Sequence, residues 1–177
     1  LEAGNILLKM EKSSILELIE TVVEEMKLII EERHIVLNLD INSDHKIFGD
    51  SGVIRDVVCE LILNASKHTP DGGKIGISVE KREKGTVVSI SDEGPGIPEE
   101  EKDYIFDKFY KVGDCLNHKS GTYKYNTGGI CVGLATIKAM IEAHGGSVWV
   151  DISKEGHSEG SRFSFFIPDR KETYQKS

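Results

Sequence analysis

Residues 74–98 read KIGISVEKREKGTVVSISDEGPGIP, and this stretch decides the fold. Ile75, Ile77 and Val79 alternate with Gly76, Ser78 and Glu80, and Val87, Val88 and Ile90 lie within the run Thr86–Asp92. Glu83–Gly85 lies between the two runs, and such a pairing predicts an antiparallel hairpin. The second strand runs into Asp92-Glu93-Gly94-Pro95-Gly96-Ile97-Pro98, where Gly94 and Gly96 permit turns that no side chain could follow. A dinucleotide-binding parallel fold would need a third glycine at fixed spacing and an opening strand-plus-helix unit, and the stretch has neither.

Working outward toward the N-terminus, a helix is predicted from about Ser51 to Lys67, ending before Pro70. Ile35, Leu37, Leu39 and Ile41 alternate with Val36, Asn38 and Asp40 as a strand, and a short strand over Lys46–Phe48 is expected to pair with it. Apolar residues from Ile15 to Ile30 recur at helical spacing, which predicts one helix over Ser13–Glu32 with Ser14 and Glu17 as a capping box. Toward the C-terminus, Pro98 and three glutamates open a short helix. Asp107–Thr127 has no clean period and reads as a functional lid. A third long helix is expected over Val132–His144, stopped by Gly145-Gly146, with final strands Ser147–Ile152 and Arg162–Ile167. Hairpins with segregated helices describe an α+β two-layer sandwich: a mixed, mostly antiparallel sheet with three main helices on one face.

Composition bounds the function. The 177 residues are 38% hydrophobic, enough for one domain with a sizeable core, and 18 glycines against 4 prolines point to close-approach loops rather than a linker. The net charge of −8 argues against nucleic acid and against a polybasic membrane contact. Cys59, Cys115 and Cys131 form no CxxC pair, so neither a disulfide framework nor a structural zinc site is expected. The chain starts at Leu1 without a signal-peptide pattern and has no membrane-length apolar run. It reads as a cytoplasmic piece of a longer protein: residues 1–12 close an upstream linker or helical domain, 13–168 form the domain, and 169–177 a tail.

Three features carry chemistry. On the second helix Glu60, Asn64 and Lys67 fall within a sector of about 60°, opposite Ile54, Val58, Leu61, Ile62 and Ala65. A solvated outer face is the plain alternative to a site that combines a base, a metal-binding oxygen and a phosphate-binding cation. Asp92 closes an apolar strand, either capping the turn or offering a half-buried carboxylate to a donor. Gly128-Gly129-Ile130-Cys131-Val132-Gly133 opens the third helix, where free N–H groups and the dipole favour phosphate. Leu134-Ala135 stands where a P-loop needs Lys-Ser/Thr, which excludes that class.

In this order the three features resemble the catalytic ATP-binding domain of sensor histidine kinases, which shares a Bergerat-type fold with Hsp90, type II topoisomerases and mismatch-repair ATPases. Glu60–Pro70 (ELILNASKHTP) resembles the N box, Asp92–Pro98 the G1 box, Ile105–Tyr110 (IFDKFY) the F box and Gly128–Leu134 the G2 box. Gly160-Ser161-Arg162-Phe163 is similar to the final glycine motif, so the likeness runs from Lys9 to Pro168. The resemblance implies ATP and Mg²⁺ as cofactors, with Asn64 as the metal ligand. It implies Glu60 as the residue that orients or deprotonates the nucleophile, and Lys67 as a phosphate ligand. Asp92 would accept from the adenine amine with support from Ser161. Gly94, Gly96 and Ile97 would line the purine, and Gly129, Cys131, Val132, Gly133 and Leu134 the triphosphate.

The implied reaction is phosphoryl transfer to a histidine. None of His34, His45, His68, His118, His144 and His157 sits in a His-Glu/Asp-x-x-x-Pro context, so the acceptor is expected on an upstream dimeric helical domain, with a response regulator as the next partner. Cys131 replaces a usual glycine, and if that position needs glycine geometry it costs about 1–3 kcal/mol; an ordinary backbone angle there is the alternative. Two competing readings are a degenerate nucleotide sensor and an anti-sigma-type serine kinase.

Overall fold

The computed structural model describes residues 7–41, 45–107, 133–153 and 160–169. The predicted hairpin is present as β4 (Lys74–Arg82) and β5 (Gly85–Asp92), paired with Ile77 opposite Ile90. It lies inside a five-stranded sheet of order β2-β4-β5-β7-β6, with β2 at Val36–Ile41, β6 at Ser147–Ser153 and β7 at Gly160–Pro168. Every pairing is antiparallel except β2 with β4, whose crossover runs through the long helix α3 (Ser51–His68). The mixed, mostly antiparallel α+β architecture is thus the observed one.

Alternation along the strands sorts the faces. Ile77, Ile90, Phe163 and Val150 form one row across four strands, and all four side chains are buried. They share a core with Ile19 and Val22 of α1 (Ile15–Glu25), with Ile54, Val58, Leu61 and Ile62 of α3, and with Ile137 and Ile141 of α4 (Leu134–Ala143). The next row on the opposite face is Ser78, Ser89, Ser164 and Trp149, with Ser89 Oγ 2.8 Å from Ser164 Oγ. One face therefore carries the helices, and the other mixes this row of serines with Trp149, Val87 and Phe166.

Three sequence expectations are corrected. The helix read over Ser13–Glu32 is divided: Ser13 and Ser14 belong to strand β1 (Glu11–Ser14), and Met26 separates α1 from α2 (Lys27–Glu32). Periodicity saw one apolar stripe, because Met26, 3% exposed, stays on the core side across the break. The Ser14 cap holds, its Oγ accepting from the Glu17 N–H at 3.1 Å. The strand over Lys46–Phe48, found as β3 (Lys46–Gly49), pairs with β1 rather than with β2. The parallel partner that β2 takes is β4, a choice that alternation within β2 could not reveal. After Pro98 the chain forms one turn of 3₁₀ helix, Glu99–Glu101. Among the described residues no helix is long and apolar enough to cross a membrane.

Candidate nucleotide site

Asp92 is the last residue of β5 and is 3% exposed. Its Oδ1 accepts from the Gly94 N–H at 2.8 Å and from the Ser161 N–H, on β7, at 3.3 Å. Burial raises its carboxyl above the ordinary value, against the lowering effect of those two N–H groups and of nearby His68. A buried carboxylate that is costly to ionise is placed to receive a donor from outside the protein.

Glycines give this carboxylate its surroundings. A Cβ on Gly94 would lie 2.7 Å from Asp92 Oδ1 and 3.0 Å from both Cβ and the carbonyl oxygen of His68. A Cβ on Gly160 would lie 1.7 Å from the Asp92 carbonyl oxygen, so the start of β7 touches the end of β5 backbone to backbone. Gly96 is required for a different reason, its φ of +75°. Ile97 is half-buried and packs on the core.

The end of α3 reaches the same place, since His68 backs onto Gly94. On α3 the apolar face named from sequence is buried, Glu60 and Asn64 are half-buried, and Lys67 is exposed. Gly133 caps α4 with open space where a side chain would stand, and Leu134 packs against the core. Ile105 and Phe106 are buried, Phe106 meeting Phe163 edge-on at 6.1 Å between ring centres. Gly129, Cys131 and Val132, and the lid from residue 108 onward with the last three residues of the IFDKFY stretch, lie outside the described residues.

The structure thus gathers Asp92, Gly94, Ser161 and the last turn of α3. Sequence reading did not single out His68, because its contact with Gly94 is tertiary; its place beside Lys67 in the same motif was the available signal. Asn64 offers a hard amide oxygen one helical turn from the Glu60 carboxylate, and among the described residues no group of three His, Cys, Asp or Glu could hold a metal ion unaided. That donor set suits Mg²⁺, which keeps waters and shares phosphate oxygens. The buried acceptor Asp92, with no space for side chains around it, suits an adenine edge.

Residues 49–171 match the family described as histidine kinase-, DNA gyrase B-, and HSP90-like ATPase. The chain is 36% identical over 125 residues to the sensor histidine kinase WalK of Bacillus subtilis (strain 168), covering 70% of this chain and 19% of WalK. It is 38% identical over 140 residues to the adaptive-response sensory kinase SasA of Microcystis aeruginosa, covering 78% of this chain and 33% of SasA. The chain therefore spans a fifth to a third of the length of these relatives. The solved catalytic domain of histidine kinase ThkA superposes with a TM-score of 0.75 at 27% identity, covering 91% of this chain and 97% of that one. A second ThkA structure, solved in complex with the response regulator protein TrrA, gives 0.74 at 27% identity and covers 92% of this chain and 42% of that one. With the fold, the glycine-lined carboxylate and these likenesses in agreement, the chain belongs to the histidine kinase-, DNA gyrase B- and HSP90-like ATPases, as an ATPase catalytic domain of the sensor histidine kinase kind.

Proposed function

We propose that this domain binds Mg²⁺-ATP and transfers the γ-phosphoryl group to a histidine on an upstream, dimeric helical domain, from which a response regulator takes it in the cytoplasm. The observation that carries the reading is the buried Asp92 carboxylate, held on one oxygen by the N–H groups of Gly94 and Ser161. Asp92 accepts a hydrogen bond from the exocyclic amine of adenine. Lys67 neutralises phosphate oxygens, and Asn64 holds the cation, which supplies charge neutralisation to the triphosphate. Glu60, one turn before Asn64, orients the incoming imidazole and accepts a proton from it. As the bond from the γ-phosphorus to the bridging oxygen breaks, one to an imidazole nitrogen forms, and these residues supply positioning and charge. The solved ThkA complex with a response regulator supports the choice of downstream partner. The sensor kinase relatives weigh against a serine-directed kinase.

Titration calorimetry with ATP, with and without Mg²⁺, tests the binding half. Asn64→Ala is expected to abolish the Mg²⁺ dependence. Glu60→Gln is expected to keep ATP affinity within a few-fold while slowing transfer to a histidine domain supplied in trans by ~10²–10⁴. Retained Mg²⁺ dependence in the first variant, or a near-normal transfer rate in the second, removes that residue from its role.

A further inference from the structure

Helix α3 ends in a way that needs outside help. The carbonyl of Ser66 would ordinarily receive the N–H four residues on, and that residue is Pro70, which has none. Ser66 is 3% exposed and Thr69 1%, so water is a poor substitute for either residue. Arg33 supplies the missing donors. Its Nη1 donates to the Ser66 carbonyl, its Nη2 donates to the Thr69 carbonyl at 2.7 Å, and its Nε donates to Asp71 Oδ1 at 2.8 Å. Its own carbonyl accepts from the Gly72 N–H at 3.0 Å, and the Val36 N–H donates to Gly73 at 2.9 Å. One side chain and the backbone around it hold the whole turn from Ser66 to Gly73.

Arg33 is itself held in place. It caps α2, and the next residue, His34, takes a left-handed φ of 53°, which ends that helix and turns the chain into β2. The Arg33 side chain is 21% exposed, its backbone ends a helix and its fork is held by three bonds, so it is aimed before any ligand arrives.

Lys67 lies between the two carbonyls that Arg33 holds, and Asn64 lies two residues before the first of them. We propose that Arg33 is a positioning residue for the phosphate and metal side of the nucleotide site, fastening the last turn of α3 where Pro70 leaves it unbonded. This rests on the roles proposed above for Asn64 and Lys67. Arg33 touches no ligand in this scheme and acts through the helix end. The base side has its own hold, because the Gly94 and Ser161 N–H groups that fix Asp92 make no bond to Arg33, and it meets the fastened turn at His68 against Gly94.

Arg33→Met keeps the stem and removes the fork, and Arg33→Lys keeps the charge and removes the fork. Affinities for Mg²⁺-ATP and for adenosine, with amide hydrogen exchange at Lys67, His68 and Thr69 in the nucleotide-free protein, read the effect. Expected are a loss of Mg²⁺-ATP affinity of about tenfold in both variants, as for other residues that orient ligand-bearing groups, adenosine affinity within twofold, and faster exchange at the three amides. Mg²⁺-ATP affinity within twofold of the parent in Arg33→Met overturns the proposal. So does an equal loss for adenosine and ATP, which is loss of structure alone, or full recovery in Arg33→Lys, which is charge alone. Lys67→Ala separates the two layers: if it leaves the ratio of ATP to adenosine affinity unchanged, the reading of Lys67 fails, while unchanged exchange in Arg33→Met fails the clamp itself.

Discussion

Asp92 places function and stability in opposition at a single residue. Its native carboxyl titrates above that of the unfolded chain because it is buried. The contribution of such a group is therefore fully present at acid pH, and it is lost as the pH rises through the native value. Above that native value the ionised, buried side chain burdens the empty domain. Asp92→Asn keeps an oxygen for the Gly94 and Ser161 N–H groups and discards the charge. Its nucleotide-free melting temperature is expected to rise, by ~2–4 °C per kcal/mol for a domain of this size. ATP affinity is expected to fall roughly 5- to 150-fold, since an unpaired buried donor costs ~1–3 kcal/mol. Thermal melts and calorimetry on the two proteins check both, and a lower melting temperature in the empty variant contradicts the account.

Between elements, the start of α3 is a junction. Asp50 caps the helix, its Oδ1 accepting from the Val53 N–H at 3.1 Å, while Oδ2 accepts from the Lys9 N–H at 2.8 Å on the approach to β1. The Asp50 N–H donates to Nε2 of His144 at 3.0 Å, and Nδ1 of that buried ring lies 2.7 Å from the Met140 carbonyl at the end of α4. The incoming strand, α3 and α4 thus meet at one residue. Burial raises the Asp50 carboxyl, but the N–H groups of Lys9, Val53 and Gly52, with His144, outweigh it and leave the value below the usual 3.8. This contribution is present above that pH and is lost as the pH falls through the lower native value. Asp50→Ala is expected to cost about 1 kcal/mol at pH 7, the usual worth of such a cap. The difference from the parent is expected to shrink at strongly acid pH, read by urea unfolding at both conditions; a constant difference would remove the carboxylate from the junction.

For the whole molecule, the relevant fact is that six histidines are present and none stands in an acceptor context. The 177-residue chain is expected to bind ATP without labelling itself on histidine. Binding to the folded state alone stabilises by about 2.7 kcal/mol at a hundred times Kd, so Mg²⁺-ATP is expected to raise the melting temperature. Incubation with γ-labelled ATP is expected to leave no acid-labile, base-stable label. Stoichiometric label on this chain, or a melting temperature indifferent to ATP, would count against the assignment.

Local chemistry was legible in the sequence wherever one element carried it. The hairpin over 74–92, the apolar face of α3, the Ser14 cap and the Asp92–Pro98 turn follow from alternation, helical spacing and glycine, all properties of neighbouring residues. The boxed motifs identified the family for the same reason, since their residues are consecutive. What the tertiary structure alone decided were contacts between residues far apart in the chain. Whether β3 pairs with β1 or β2 depends on which edge is free, and alternation is blind to that. The break at Met26 keeps the apolar stripe intact, so periodicity could not locate it. The approach of Gly160 to Asp92, of His68 to Gly94 and of Arg33 to the carbonyl stranded by Pro70 spans 26 to 68 residues. Such pairs leave no spacing to read, because the sheet order and helix packing that bring them together are properties of the whole chain.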